Sequence, residues 1–211
     1  MSRGCARVHT IARSLKRFGF PFDEKLLPAN GIYFLFEQGE SGHGGDRIVR
    51  IGTHTGQNEL RSRLKEHFVV ENKDRSIFRK NIGRAILNRA DDPFLTQWNL
   101  DLLTRAAKNK HEGRIDWGRQ GKIEEAVSAH IRVRCTFAVV EVGPQDRRLL
   151  LESRLISTVS LCEDCRPSGT WLGSSSPVEK IRESGLWLVN ELYKAPLSDD
   201  DLATLERLAR L

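Results

Sequence analysis

Alternating apolar and polar residues predict three β-strands in the chain. The first is GIYFLFE at 31–37, where every second residue from Ile32 faces one side of the strand. The glycine-rich tract 38–46 predicts a hairpin loop, after which RIVRIG at 47–52 returns antiparallel to the first strand. The run RCTFAVVEVG at 134–143 is the third predicted strand. These elements predict a small antiparallel sheet.

Helical periodicity dominates the rest of the chain. In the helix predicted around 57–68, Leu60, Leu64 and Phe68 form one apolar stripe, with Arg63 and His67 beside it. A Ser, Gly and Pro-rich loop is predicted at 165–177, followed by a helix or strand pair around SGLWLVNEL. The other predicted helices are 10–18, 76–87, 95–109, 121–130, 146–160 and a terminal helix from Ser198.

The order of these elements predicts an α/β protein of the α+β type. A small central antiparallel sheet of about three strands is flanked by helices. We expect a core domain at 31–195 with a helical insertion at 88–133, preceded by an N-terminal helical extension at 1–30 and followed by a C-terminal helix at 196–211.

The charge of the chain changes this picture because it is localised. The net charge is +6 and the pI about 9.3. Between Arg61 and Lys122 there are 15 Lys or Arg and 8 Asp or Glu, a net +7. Charge alone leaves two interpretations open, a nucleic-acid surface or a set of solvated helix faces. No segment has the apolar length of a signal peptide or a membrane span, so we expect a soluble, cytoplasmic protein with no membrane partner.

Four cysteines are scattered as Cys5, Cys135, Cys162 and Cys165, which is not the spacing of a disulfide scaffold. The CEDC pair supplies at most half of a four-ligand zinc site, and no second CxxC or HxxxH completes it. Reduced thiols are therefore the expectation, with structural zinc as the disfavoured alternative.

Glu152 lies beside an apolar stripe on the helix predicted at 146–160. An ionised carboxylate in apolar surroundings is costly unless it is paired or binds a metal. The residues alone favour a buried Arg–Glu pair over a metal site.

In order along the chain, these features resemble the GIY-YIG endonuclease family. The GIY element is Gly31-Ile32-Tyr33, the second element is Arg50-Ile51-Gly52, and Arg63 followed four residues later by His67 matches the helix motif. Glu152 in LLLESRLI matches the family's metal-binding glutamate. Arg50 stands where family members usually carry tyrosine. The family's late asparagine has no match near 165–175, where Thr170 is the nearest candidate.

The resemblance implies a metal-dependent endonuclease that hydrolyses DNA phosphodiester bonds. Glu152 would bind a divalent cation, Mg²⁺ or Mn²⁺, because hard cations prefer carboxylate oxygens. Arg63 would stabilise the phosphoryl transition state, and Tyr33 would orient or activate water. His67 would hydrogen-bond Tyr33 or shuttle a proton.

DNA is the partner that the resemblance implies. Arg79, Lys80 and Arg84 on the helix at 76–87 are predicted to contact its phosphates, and Arg50 could hold a phosphate in place of the family tyrosine. The alternative is a catalytically inactive nucleic-acid-binding protein that keeps the fold, and RNA or a branched intermediate is a further candidate substrate. His43 and His54 match nothing in the family pattern and are assigned to loops.

Overall fold

A computed structural model describes residues 2–210 and shows helices packed on both faces of one antiparallel sheet. The strands are β1 (Arg17–Gly19), β2 (Gly31–Gly42), β3 (Gly45–Gly52) and β4 (Cys135–Glu141). The helices are α1 (Ser2–Ser14), α2 (Leu60–Phe68), α3 (Ile77–Arg89), α4 (Leu95–Trp98), α5 (Arg105–Lys110), α6 (Trp117–Arg134), α7 (Gln145–Ser160), α8 (Glu179–Ser184) and α9 (Asp199–Ala209). The predicted fold class is confirmed.

The sheet has the order β1-β4-β2-β3, one strand more than the predicted three. The added strand β1 is a three-residue segment that pairs antiparallel with β4, so Phe18 lies opposite Phe137. A run this short carries no alternation, and the sequence pattern therefore placed it in a helix at 10–18. Part of the predicted N-terminal extension thus lies in the sheet.

The two faces of β2 belong to two apolar cores, as its alternation predicts. Ile32 and Phe34 pack with helices α1, α7 and α9, whereas Tyr33 and Leu35 pack with α2, α3 and α6. Because β2 lies between β4 and β3 in the sheet, both of its faces are buried. Strand β3 lies at the edge, where the two helical layers approach each other.

The β2–β3 hairpin is longer and tighter than predicted. Strand β2 continues to Gly42 and β3 begins at Gly45, so most of the predicted loop is paired strand. The turn consists of His43 and Gly44, with φ angles of 51° and 77°. Two successive positive φ angles define the tight turn that matches strand twist, and glycine satisfies one of them without strain.

The predicted insertion at 88–133 is packed against the core by buried ion pairs. Helix α3 begins at its N-cap Ser76 and α6 at its N-cap Asp116, whose side chains accept backbone hydrogen bonds. Arg79 of α3 contacts Glu124 of α6 at 2.7 Å. The predicted helix at 95–109 is broken into α4 and α5.

The C-terminal helix is confirmed, with Ser198 and Asp201 forming a capping box at its start. The segment around SGLWLVNEL contains no strand, and its Trp187 N–H donates to the carbonyl of Val49 on β3. Within residues 2–210, no helix has the length and apolar character needed to cross a bilayer.

Candidate active site

A hydrogen-bonded chain of buried side chains connects β2, β3 and α2. The Tyr33 hydroxyl lies 2.8 Å from Nε2 of His67, and Nε of Arg50 donates to the same hydroxyl at 3.1 Å. Nδ1 of His67 lies 2.7 Å from Oγ of Ser76, the N-cap of α3. Tyr33 and His67 have no exposed surface, and Arg50 is 4% exposed.

The lowered pKa of His67 and the hydrogen-bond donors together define where the protons of this network lie. Burial, reinforced by the charges of Arg50, Arg63 and Arg79, lowers the pKa of His67 well below its ordinary value, so the imidazole is neutral. Since Arg50 donates to the Tyr33 oxygen, the Tyr33 O–H is free to donate to Nε2, and Nδ1–H then donates to Ser76. The network is therefore a directed path that runs from Arg50 through Tyr33 and the neutral His67 to Ser76.

Gly52 is glycine because of this network. In the strand register, Gly52 lies opposite Tyr33, and a Cβ added at Gly52 would be 2.2 Å from the Tyr33 hydroxyl oxygen. No side chain fits in that space. The second motif element thus leaves room for the hydroxyl of the first.

Glu152 lies in a cleft at the β3 edge where the two helical layers meet. The cleft has a volume of about 540 Å³ and combines residues of β3, α2, α3, α7 and the segment after α8. Its polar lining comprises Arg50, Thr53, His54, Thr55, Arg63, Asn81, Glu152, Ser153, Asn190 and Glu191. The predicted site residues Arg50, Arg63 and Glu152 are thereby brought to one place.

The Glu152 carboxylate is half-buried and incompletely partnered. Its Oε1 accepts a hydrogen bond from Thr53 N–H at 2.9 Å, and the other oxygen accepts none from residues 2–210. Within that range no cation lies within 4 Å of it, so the buried Arg–Glu pair favoured by the sequence does not form. Burial raises its pKa, partly opposed by the Thr53 hydrogen bond and by Arg50. Glu152 is therefore a carboxylate that Thr53 positions and that no cation of residues 2–210 contacts.

Arg63 projects from α2 into the same cleft and retains accessible surface. Its Nη1 donates to Glu66 and to the carbonyl of Arg75, both at 3.1 Å. The side chain is 25% exposed. These bonds hold the guanidinium at the cleft wall while leaving part of it open to a ligand.

Tyr33 does not lie where the resemblance places it. With no accessible surface, its hydroxyl contacts Arg50 and His67 but not the cleft directly. Arg50 lines the cleft and also donates to Tyr33, so it connects the buried pair to the open site.

His54 is a site residue that the sequence assigned to a loop. It lines the cleft, and its Nδ1 lies 2.9 Å from the carbonyl of Gly56, which requires a proton on Nδ1. Burial and the charge of Arg148 lower its pKa, so the ring is neutral. Its buried Nε2 lone pair has no partner among residues 2–210. No periodicity in the sequence distinguished this histidine.

The cleft also contains an asparagine that the sequence search missed. Asn190 lines it beside Glu152, whereas Thr170 is exposed, contacts Ser168 and lines a different cleft. The sequence prediction considered only 165–175. The segment carrying Asn190 is held at the β3 edge by the Trp187 backbone hydrogen bond to Val49 and by Arg47 and Arg50, which donate to the carbonyls of Gly185 and Trp187.

The three cations predicted on α3 require correction. Arg79 is fully buried, with Nη2 2.7 Å from Glu124 Oε2 and 2.8 Å from Ser128 Oγ. Lys80 is 8% exposed and pairs with Asp74 at 2.9 Å. Both therefore hold the insertion in place and are unavailable to DNA. The partner of Arg79 lies 45 residues away, and Asp74, six residues before Lys80, lies outside α3, so the helical pattern of α3 identifies neither partner.

The third cation, Arg84, is half-buried and bonded to two amide side chains. It donates to Asn99 at 2.7 Å and to Asn81 at 2.9 Å. An exposed group of cations lies on and just after α5, at Arg105, Lys108, Lys110 and Arg114. Other exposed cations of the middle third are spread over several elements, at Arg61, Arg75, Arg89, Arg119 and Lys122.

Trp171 and Trp187 are core residues and not stacking platforms. They are 3% and 0% exposed. Both indole N–H groups donate to Oε2 of Glu37, at 3.0 and 2.9 Å.

Comparison with known proteins adds one finding. The model of the GIY-YIG domain matches residues 9–211, nearly the whole chain. No curated protein and no solved structure matches the chain. The match includes the second half of α1 and all of β1, in agreement with their packing into the core and sheet.

Proposed function

The chain belongs to the GIY-YIG domain family, a family of nucleases, and on that premise we propose that it is a divalent-metal-dependent endonuclease acting on DNA. The observation that carries the proposal is the convergence of Glu152, Arg50 and Arg63 on one cleft. Phosphodiester hydrolysis requires stabilisation of negative charge on phosphorus, a positioned water and help for the leaving oxygen. The cleft offers groups for each task.

The oxygen donors of the cleft fit a hard divalent cation. Glu152 has one oxygen without a partner among residues 2–210, and its pKa is raised by burial, with the Glu191 carboxylate adding to the effect. Two carboxylates in one cleft favour a divalent cation such as Mg²⁺ or Mn²⁺. When bound, the cation would supply Lewis-acid stabilisation of the phosphate and the leaving oxygen. Glu152 would hold it through its oxygen without a partner among residues 2–210, with the Asn190 amide oxygen as a further donor. Glu191 would join only by exchanging its hydrogen bonds from Ser153 and Lys194 for the ion.

Arg63 and Arg50 bind the phosphate in this proposal. The Arg63 guanidinium is partly exposed at the cleft wall and can form charge-assisted hydrogen bonds to phosphate oxygens. Arg50 takes the place of the family tyrosine as a second cation. Its position is fixed by Tyr33 and by the carbonyl of Trp187, so little conformational freedom is lost when it binds an anion.

We assign the handling of water to His54 and a positioning role to Tyr33. The His54 Nε2 lone pair has no partner among residues 2–210 and would accept a hydrogen bond from the attacking water, whereas the Tyr33 hydroxyl is already bonded to Arg50 and His67. Tyr33 and His67 act through Arg50. This revises the water-activating role that the resemblance implies for Tyr33.

DNA binding is assigned to the exposed cations on and after α5. Phosphate contacts by Arg105, Lys108 and Lys110 are independent of sequence and weaken as salt rises. We propose that this surface replaces α3 as the site of backbone contact.

One observation favours a second candidate function. Arg50 replaces a family tyrosine, and Tyr33 is buried, so neither position offers a phenol to the cleft. A catalytically inactive nucleic-acid-binding protein would keep the fold and the basic α5 surface without cutting.

Cleavage of supercoiled plasmid separates the two. We expect nicking or linearisation that requires added Mg²⁺ or Mn²⁺, is lost in Glu152→Gln and is strongly reduced in His54→Gln, while plasmid binding persists. Glu125→Gln, an exposed glutamate of α6, is the matched control and should cut normally. Salt-sensitive binding without cleavage of duplex DNA, branched DNA or RNA by the unmodified protein would establish the inactive binding protein instead.

A further inference from the structure

Away from the cleft, four metal-ligating side chains from three parts of the chain converge. They are Cys5 of α1, His43 of the β2–β3 turn, and Cys162 and Cys165 of the loop after α7. Their ligand atoms all lie within 4.8 Å of one another. The three cysteines are at most 5% exposed. We propose that these residues form a structural zinc site with a Cys₃His ligand set.

The distances within the cluster are those of a tetrahedral zinc site. Bond lengths of about 2.3 Å to sulfur and 2.0 to 2.1 Å to nitrogen give tetrahedral edges of roughly 3.8 Å between sulfurs and 3.6 Å between sulfur and nitrogen. The Sγ atoms of Cys5 and Cys165 are 3.6 Å apart, and Cys162 Sγ is 3.3 Å from His43 Nε2. A disulfide would bring two sulfurs to about 2.0 Å. All four cysteines of the chain are free thiols.

The backbone conformation of His43 supports a functional reason for histidine in the turn. Its φ of 51° is a conformation in which asparagine or glycine is usual at this turn position. Arg13 stabilises the turn by donating to the carbonyls of Gly42 and His43, at 3.0 and 2.9 Å. A Cβ at Gly42 would be 3.0 Å from Cys165 Cβ, so glycine permits the close approach of the hairpin to the cysteine loop.

A second histidine beside the cluster is suited to orient a ligand rather than to bind metal. Nε2 of His9 accepts the Ile48 N–H at 3.1 Å, so its neutral ring carries a proton on Nδ1. Nδ1–H points to the Cys5 carbonyl at 3.0 Å and lies 3.5 Å from Cys5 Sγ. Outer hydrogen bonds of this kind orient the ligands of zinc sites.

A neighbouring cluster shows what a non-binding arrangement looks like. Glu37, His130 and Cys135 also lie within ligand distance of one another. The Glu37 carboxylate, however, is satisfied by His130 at 2.9 Å and by two indole N–H groups. An indole nitrogen is only a donor, so a metal bound to Glu37 would leave both N–H groups without their acceptor. We therefore assign no metal there.

The proposed zinc site supplies partners for the CxxC pair that the sequence did not reveal. Cys5 and His43 complete the ligand set. Cys5 lies 157 positions before Cys162, and His43 lies in a turn whose register the sequence did not define. The ion would connect α1, the β2–β3 hairpin and the loop after α7. Glu152 of α7 lies in the cleft. The role of the ion is structural because four protein ligands leave no open position.

Metal content tests the proposal independently of cleavage. The full chain, expressed with zinc and purified under reducing conditions, should contain about one zinc ion per chain. Replacement of zinc by cobalt(II) should produce thiolate-to-cobalt charge-transfer absorption and the visible bands of tetrahedral cobalt. Cys162→Ser and His43→Ala should lose zinc, whereas Cys135→Ala, a buried cysteine outside the cluster, should keep it.

The cobalt spectrum of the unmodified protein keeps the test valid if a variant fails to fold. Absence of zinc together with no cobalt–thiolate absorption after reduction would overturn the proposal. A Cys5–Cys165 disulfide that resists reduction and prevents zinc uptake would also overturn it. Zinc retained equally by Cys162→Ser would exclude this ligand set.

Discussion

Helix α7 carries Glu152 near its middle and leads into the Cys162–Cys165 loop, and the surroundings of the two regions are opposite. The cleft offers oxygen donors, the Glu152 carboxylate, which no cation of residues 2–210 contacts, and the partly exposed guanidinium of Arg63. The cluster offers three sulfurs and one nitrogen in a closed arrangement. Hard cations bind the first kind of site loosely and exchange, whereas zinc binds the second tightly.

Under the two proposals, metal dependence in this protein has two separable meanings. Omission of Mg²⁺ should stop cleavage and leave stability unchanged, whereas removal of zinc should lower stability first. Because chelators such as EDTA bind both ions, loss of activity in EDTA does not identify the metal, and substitutions in each region do.

The largest effect is expected from Arg63, which belongs to the cleft alone. Arg63→Gln should lower kcat by about 10² to 10³-fold because it removes a donor aimed at developing phosphate charge. Zinc content should not change. Lys65→Gln, on the same helix but paired with Glu24 at the surface, is the control. Single-turnover cleavage with saturating enzyme measures the effect, and a rate equal to that of the control would remove Arg63 from the site.

Gly52 is expected to give the next largest effect, through packing. In Gly52→Ala, the new methyl must displace the Tyr33 hydroxyl from 2.2 Å, and such overpacking costs about 1 to 3 kcal/mol of unfolding free energy. Gly121→Ala in α6 has no neighbour within 4 Å and should be neutral or stabilising by about 0.5 to 1 kcal/mol. Urea denaturation with zinc present compares them. Equal stabilities would show that the network relaxes freely.

Local pattern predicted β2, β3 and β4, the apolar stripe of α2 and the alternation of β2 side chains between two faces, because each depends on neighbours within a few residues. The Tyr33–His67 contact was reached only through the resemblance. The burial of Arg79 and the convergence of Cys5 with Cys165 depend on partners 45 and 160 residues away. The sequence did not identify His54 and Asn190 as cleft residues for the same reason, because loops without a periodic pattern bring them there.

A smaller effect should separate DNA binding from both metal regions. Replacing Arg105, Lys108 and Lys110 by Gln should make the plot of log K against log salt shallower by about 0.9 for each lost phosphate contact. Cleavage at low salt and zinc content should be nearly unchanged. The control removes three exposed charges elsewhere, with Lys16, Lys25 and Lys180 changed to Gln. Fluorescence anisotropy over a salt series measures the slope, and identical slopes in the two triple variants would place the contact surface elsewhere.

The smallest effect concerns Glu152 and stability in the absence of Mg²⁺. Burial raises its pKa in the folded state, so its contribution to stability is present below the unfolded pKa, near ~4.3, and is lost as the pH rises through the folded value. Glu152→Gln lacks this titration. The variant should therefore gain stability relative to the unmodified protein as the pH rises, with a shift of a few degrees in Tm at neutral pH, and added Mg²⁺ should stabilise only the unmodified protein. Both proteins carry the same cysteine cluster, so its own pH dependence cancels in the difference. If the stabilities of the two proteins changed in parallel with pH, the Glu152 carboxylate would already be compensated by other groups in the folded protein. The cleft would then not contain the uncompensated carboxylate that distinguishes it from the closed cysteine cluster.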